Sequence, residues 1–298
     1  MPSPEKAPAS PAASGTGAAA EKKALLIEAL SYIGRFKGQI VVIKYGGAAM
    51  VQEPFKISFA KDVVLLQSLG MRPVIVHGGG PEVSRAIQAM GQEAEFVAGL
   101  RVTSAANLRV TEMVLSGTIN KEIVAHLNCQ GGNGVGLSGK DGHLIGARKM
   151  ENVKGIDLGY VGEIVKVDPA IVKLLLDNGY IPVISPIGMG PDGQTYNINA
   201  DTAASRIAAA LNAEKMIFMT DVPGILEHDR LVSTLTAGQA QVLIGTGVIR
   251  GGMLPKVEAL LHCLAHGVKS AHIINGIDPH AIIAELFTDK GIGTVITA

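Results

Sequence analysis

The chain has 298 residues, 47% hydrophobic and only 4% aromatic, enough for one large domain or two ordinary ones around a substantial core. Lys plus Arg and Asp plus Glu both number 26, so formal charge is zero and the basic excess of a nucleic-acid or membrane-surface binder is absent. Two cysteines, Cys129 and Cys263, are too few for a disulfide framework and point to a reducing compartment; no run approaches the ~18 apolar residues of a membrane span.

Residues 1–22 are rich in Pro, Ala, Ser and Gly and read as a disordered tail. The tail has no apolar signal region and no arginine, so we expect a cytoplasmic protein. Residues 23–36 place Leu25, Leu26, Ala29, Leu30, Ile33 and Phe36 on one helical stripe, which either caps the core or docks on another subunit.

Strand-like and helix-like segments then alternate. "IVVIK" is a strand; "PFKISFAKDVVLLQSLG" is a helix with Pro54 at its start and Gly70 at its end. "RPVIVHGGG" and "PEVSRAIQAMG" repeat that unit, with Pro81 in the first helical turn, and a long helical pattern runs from Ser104 to Asn128. "GVGLSG", "HLIGARK" and "YVGEIVKV" alternate as antiparallel strands or hairpins do. "DPAIVKLLLDNG" is a helix capped by Asp168, "IPVISPIG" a strand, "NADTAASRIAAALN" a helix and "KMIFMTDVPG" a strand and turn. "MLPKVEALLHCLAHG" is a helix, and "SAHIING", "DPHAIIAELF" and "GTVIT" make a final strand–helix–strand unit. This alternation predicts an α/β fold, a mostly parallel sheet with helices on both faces and ligands bound beyond the carboxyl ends of the strands.

Lys44, Gly46 and Gly47 follow the first strand, and Gly78, Gly79 and Gly80 the second. Bare backbone amides, a lysine and a helix start at Pro81 together describe an anion site, against the alternative that the glycines only make turns. "NINAD", Asn197 to Asp201, supplies more polar groups than one helix cap requires. Lys256 lies in a first helical turn, where the dipole disfavours a cation; it either meets an anion or is solvated. His262 and His266 have zinc-helix spacing without a third ligand, and read as ordinary surface or core histidines. The sequence has no P-loop, no dinucleotide fingerprint after the first strand and no nucleophile elbow.

"VIKYGG", "VIVHGGGPE", "GLRVT", "NINAD", "TDVPGIL" and "GGMLPKVEA", in that order, resemble the N-acetylglutamate kinases of the amino acid kinase family, over nearly everything from Lys23 to Ala298. The resemblance implies a three-layer αβα sandwich, with residues 37–210 binding the acid and 211–298 binding ATP. It implies phosphoryl transfer from ATP to the γ-carboxylate of N-acetyl-L-glutamate, giving an acyl phosphate in arginine biosynthesis. By motif, Lys44 and Lys256 flank the transferring group, Gly46 and Gly47 donate N–H groups to it, and Asp201 holds the lysines. Gly79, Gly80, Arg101 and Asn197 grip the acid, and Asp221, Gly224, Leu226, Val248 and Arg250 fall in the nucleotide part. Mg²⁺ is expected on phosphates and water, with no protein ligand. Relatives acting on aspartate, glutamate, carbamate or UMP are disfavoured by "GLRVT" with "NINAD", and a non-catalytic sensing module by retention of both lysines and Asp201.

The helix over 23–36, with "YIGRF", and the ending "HIING…ELFTDKGIGT" resemble arginine-inhibited members that assemble as hexamers, trimers of dimers. His272, Glu285 and Gly291 are the effector contacts this implies, with solvent-facing residues as the alternative. Some photosynthetic relatives also bind a PII-type nitrogen-signalling protein, a partner the sequence leaves open.

Overall fold

The structure, a computed structural model, describes residues 36–288 and 291–298, with Lys23, Ile27 and Gly34 before them. The expected tail and most of the expected helix over 23–36 lie outside the described residues; Lys23, Ile27, Gly34 and Phe36 are helical.

Strand β1 (Ile40–Tyr45) leads to helix α1 (Glu53–Ser68), strand β2 (Arg72–His77) and helix α2 (Gly80–Ala89). Pro54 and Pro81 occupy first turns, where a missing N–H costs nothing, and Gly70 closes α1 with φ 86°. The hairpin β3 (Phe96–Val97) and β4 (Leu100–Arg101) precedes one long helical stretch: α3 (Ala105–Glu112), a π-helical turn (Met113–Ile119) and α4 (Asn120–Cys129). The Ser104 hydroxyl caps it, accepting from Asn107 N at 3.1 Å. Next come β5 (Gly134–Ser138), β6 (Ile145–Lys149), β7 (Gly162–Val167), α5 (Ala170–Asp177), β8 (Ile181–Ser185), β9 (Ile187–Met189), β10 (Thr195–Asn197) and α6 (Ala200–Ala210). The carboxyl part holds β11 (Lys215–Thr220), β12 (Leu226–Glu227), β13 (Arg230–Leu231), β14 (Thr234–Thr236), α7 (Ala237–Gly245), α8 (Met253–Ala265), β15 (Ser270–Asn275), α9 (Ala281–Leu286) and β16 (Thr294–Thr297).

Eight strands form the main sheet in the order β14-β16-β15-β11-β1-β2-β8-β5. Successive residues of the central strands point to opposite faces. Val42, Val74, Val76, Met216 and Phe218 pack with α6 and α8; Val41, Ile43, Ile75, Ile217 and Met219 pack with α1, α2 and the long helical stretch. This two-sided burial makes the expected three-layer αβα sandwich. Each buried aliphatic side chain contributes about 1.5–3 kcal/mol relative to exposure.

Two strand directions differ from the sequence reading. "GVGLS" is the parallel edge strand β5 beside β8, and β16 runs antiparallel to β15 while pairing parallel with β14. Alternation has the same period in both kinds of ladder, so a pattern reports a strand but not its direction. β6 and β7 do pair antiparallel, in a second sheet ordered β10-β9-β6-β7. "IPVISPIG" splits at Pro186: β8 stays in the main sheet and β9 joins the second.

Candidate active site

β1 is paired by β2 on one side and β11 on the other, all parallel, so their carboxyl ends open at one edge where the chain order reverses. Lys44 lies near the end of β1, His77 ends β2 and Thr220 ends β11, with Asp221 next in sequence. Behind them α6 begins at Asn199, whose Oδ1 accepts from Thr202 N at 3.0 Å. Asn199 is therefore the cap, and Asp201 is free to face the strand ends.

Asp201 binds both predicted lysines. Lys44 Nζ lies 3.0 Å from Oδ1, and Lys256 Nζ donates to Oδ2 at 2.9 Å. Lys44 and Asp201 are buried, and Lys256 reaches the same point from the first turn of α8. Burial alone would raise the Asp201 pKa, but the fields of Lys44 and Lys256 outweigh it and hold the carboxyl below its usual range. Two ammonium groups and one carboxylate leave a net positive charge.

Of the glycines beside this triad, Gly47 is held by its backbone conformation, whereas Gly46 faces only a lysine end that can move. A Cβ on Gly46 would lie 2.7 Å from Lys44 Nζ. Gly47 has φ 73°, and a Cβ there would lie 2.1 Å from Asp221 Oδ1, which accepts from Ala48 N at 3.4 Å. A cavity of about 200 Å³ is lined by Lys44, Gly46, Gly47, the Gly78–Gly80 loop and Asp201. A second, of about 150 Å³, shares that loop with Asn199 and Ala200 and adds Arg101, Asn197 and an apolar wall including Val83, Phe96, Leu115 and Pro186.

Arg101 is built to receive an anion. Its Nη2 donates to Gly80 O and Ser84 Oγ, both at 2.8 Å, and the guanidinium lies 4.6 Å from the Phe96 ring centre. Its Nη1 is buried with no hydrogen-bond partner, a costly state unless a ligand accepts there. Burial lowers the Arg101 pKa. Asn197 Nδ2 donates to Thr103 Oγ1 at 3.2 Å, which fixes its amide at the mouth.

Lys44, Asp201, Gly46, Gly47, Gly79, Gly80, Arg101 and Asn197 thus line two adjoining cavities, and Lys256 joins them through Asp201 without lining either. Asp221 touches the Gly47 loop, whereas Gly224, Leu226, Val248 and Arg250 line neither cavity. Gly224 is buried with φ 155° against Thr294, Leu226 is exposed on β12, and Val248 and Arg250 lie in the turn before α8. Among the described residues, Glu53, Glu122 and His126 have metal-ligand spacing, but Lys56 Nζ is bonded to Glu122 and lies 3.9 Å from Glu53, supplying a cation already.

The family model described as the amino acid kinase family matches residues 39–275. The chain belongs to the amino acid kinase family. Curated relatives include the acetylglutamate kinase of Methanocaldococcus jannaschii, 52% identical over 93% of this chain and 96% of that one. The acetylglutamate kinase of Moorella thermoacetica is 50% identical over 93% and 97%. The N-acetylglutamate synthase of Neisseria gonorrhoeae, solved with coenzyme A and N-acetyl-glutamate, superposes with TM-score 0.82 at 30% identity, over 93% of this chain and 63% of that one. The same synthase has been solved with coenzyme A and L-arginine, at TM-score 0.80 and 28% identity, over 92% of this chain and 65% of that one. Carbamate kinase from Giardia lamblia shares the fold at TM-score 0.63 and 18% identity, over 87% and 98%.

In this amino acid kinase the three predicted effector residues also meet. His272 Nδ1 lies 2.6 Å from Glu285 Oε1, and Glu285 Oε2 accepts from Ile292 N at 2.8 Å and Gly293 N at 3.0 Å. A Cβ on Gly291 would lie 2.6 Å from Glu285 Oε2. His272 Nε2 faces Lys215 Nζ at 3.4 Å, and an ammonium only donates, so Nδ1 carries the proton toward Glu285. Burial lowers the His272 pKa against the raising effect of the bond to Glu285. Burial pushes Glu285 up, but the bond from His272 and the two amides hold it below its usual range. Lys215 and Ser270 in this cluster, Ser84 beside Arg101, and Asn120 beside His77 were not singled out from sequence. Their only signal is proximity in space; His77 alone stood in a motif, directly before the three glycines.

Proposed function

We propose that the protein transfers the γ-phosphoryl group of ATP to the γ-carboxylate of N-acetyl-L-glutamate, a step of arginine biosynthesis. The observation that carries the reading is the Lys44–Asp201–Lys256 triad, two of its members buried, beside a cavity lined by Arg101, whose Nη1 has no protein partner. The relatives' names agree with it.

Arg101 pairs with the α-carboxylate, for which its planar fork is suited. The γ-carboxylate, ionised at neutral pH, reaches the Gly79–Gly80 loop and needs no general base. Its oxygen attacks the γ-phosphorus, the bond to the β,γ-bridging oxygen breaks, and an acyl phosphate and ADP result. Two anions must approach, so catalysis is positioning and charge neutralisation by Lys44, Lys256 and the amides of Gly46 and Gly47. Mg²⁺ enters with the nucleotide as part of the substrate, held by phosphates and water. The triad's own carboxylate, Asp201, is already engaged by two lysines, in keeping with that. Residues 37–210 supply the acid site and 211–298, with Asp221, Gly224, Leu226, Val248 and Arg250, the nucleotide site.

L-Arginine acts as a feedback inhibitor at His272, Glu285 and Gly291 in a cytoplasmic homohexamer, with Glu285 taking the effector guanidinium. The joint presence of those residues around one buried carboxylate supports this. A PII-type partner has no support beyond the resemblance.

ATP consumption measured with N-acetylglutamate, aspartate, glutamate and bicarbonate plus ammonia tests the reading. Turnover with N-acetylglutamate is expected; preference for another acid would overturn it. Arg101→Ala is expected to raise the N-acetylglutamate KM about tenfold or more, and an unchanged KM would remove Arg101 from the acid site.

A further inference from the structure

His77, the last residue of β2, is fully buried, and no step of the transfer above uses it. Its Nδ1 lies 2.8 Å from the carbonyl oxygen of Gly78, and its Nε2 lies 3.2 Å from Asn120 Nδ2. The Asn120 nitrogen also lies 3.2 Å from Leu137 O and 2.9 Å from Val183 O, so its two hydrogens are shared among three acceptors. Carbonyls only accept, so that end of Asn120 is the NH₂, and His77 Nε2 must be the acceptor facing it. Nδ1 therefore carries the proton and donates to Gly78. The ring is neutral: burial, and then the field of Lys121, push its pKa down to about 4, against the bond to Gly78.

The consequence reaches the next residue. In a trans peptide the C=O and the following N–H share one plane and point opposite ways, and the described chain has no cis peptide. Turning the Gly78 carbonyl toward His77 therefore turns Gly79 N–H the other way, and Gly79 lines both cavities. The opposite side of the loop is held by the π-helical turn directly before Asn120. A Cβ on Gly79 would lie 2.2 Å from Ile119 Cδ1 and 2.9 Å from Leu115 Cδ2.

We propose that His77 and Asn120 are positioning residues: Asn120 fixes the imidazole, the imidazole fixes the Gly78 carbonyl, and Gly79 N–H stays aimed at the carboxylate substrate. The inference rests on the acid-binding reading above.

An asparagine at position 77 places its amide where Nδ1 stood, whereas a glutamine places it near Nε2. His77→Asn is expected to keep the N-acetylglutamate KM within about threefold of wild type, and His77→Gln to raise it about tenfold or more, as for a lost bond to a charged group. The ATP KM should stay within about twofold in both. Equal acid KM values in the two variants, or parallel rises for both substrates, would overturn the proposal, since general loosening gives that result. If His77→Gln gives no cooperative melt, Asn120→Ser carries the same expectation. Ring ¹⁵N shifts of the wild-type protein give a readout besides activity: the Nδ1–H tautomer at His77 is expected, and Nε2–H would overturn the mechanism. A wild-type enzyme inactive on N-acetylglutamate would overturn the functional reading itself, while an active one with unmoved variants would overturn this inference alone.

Discussion

Asp201 holds two ammonium groups on one buried carboxylate, and its removal is the sharper lesion. Lys44→Ala leaves Asp201 paired with Lys256, whereas Asp201→Ala leaves the buried Lys44 unpaired. Lys44→Ala should lower kcat at least ~10²-fold and keep a near-native melt. Asp201→Ala should also cost about 3 kcal/mol of stability, read by urea unfolding. The sign with pH follows from the depressed Asp201 pKa. A carboxyl ionised more readily in the folded state stabilises it above its unfolded pKa of about 3.9, and that stability is lost as pH falls through the lower folded value. Urea midpoints of wild type and Asp201→Asn should therefore differ most near neutrality and converge on acidification. A gap that widens toward acid would contradict the pairing. Lys44 and Lys256 were legible at this scale because each stands where a lone lysine is awkward: at the end of a buried strand and in a first helical turn. Lys215 was not, because its partners Ser270 and His272 are 55 and 57 residues away and no periodicity reports them.

At the scale of elements, proline and glycine marked most boundaries. Pro54, Pro81 and Gly70 fall in the structure where their backbone chemistry places them. The long helical pattern from Ser104 was also legible, but its π-helical turn was not: apolar spacing in "MVLSGTI" does not distinguish a locally widened helix. That turn brings Leu115 and Ile119 against Gly79. Gly79→Ala would meet both a positive φ of 152° and those side-chain ends, which can yield more easily than the backbone. The loop should shift, and kcat/KM for N-acetylglutamate should fall about 10²-fold while the fold persists by circular dichroism. A wild-type value would show that the loop tolerates a Cβ and that Gly79 is not a constrained donor.

Across the whole molecule, one sheet runs through both expected lobes, with β1 from the first paired to β11 from the second. Asp201 and Lys256 likewise come from either side of the 210/211 boundary. The two expected lobes therefore share one core, and the continuity of the sheet across them was not visible in the motifs. Phe36 belongs to that core, stacked edge-on to Phe287 with ring centres 6.3 Å apart. A truncation that tests regulation must spare it. Deleting residues 1–35 is expected to abolish arginine inhibition and to reduce the oligomer seen by light scattering, with basal turnover kept. A truncated protein still hexameric and inhibited would remove the amino-terminal segment from regulation.

Tethering Lys44 and Lys256 to a single anchor makes them thermodynamic partners. Groups that share a tether do not contribute independently, so removing the second lysine after the first forfeits less than it would from the intact enzyme. A double-mutant cycle on kcat should accordingly close with a sizeable interaction free energy, the doubly substituted enzyme being faster than multiplication of the two single defects would allow.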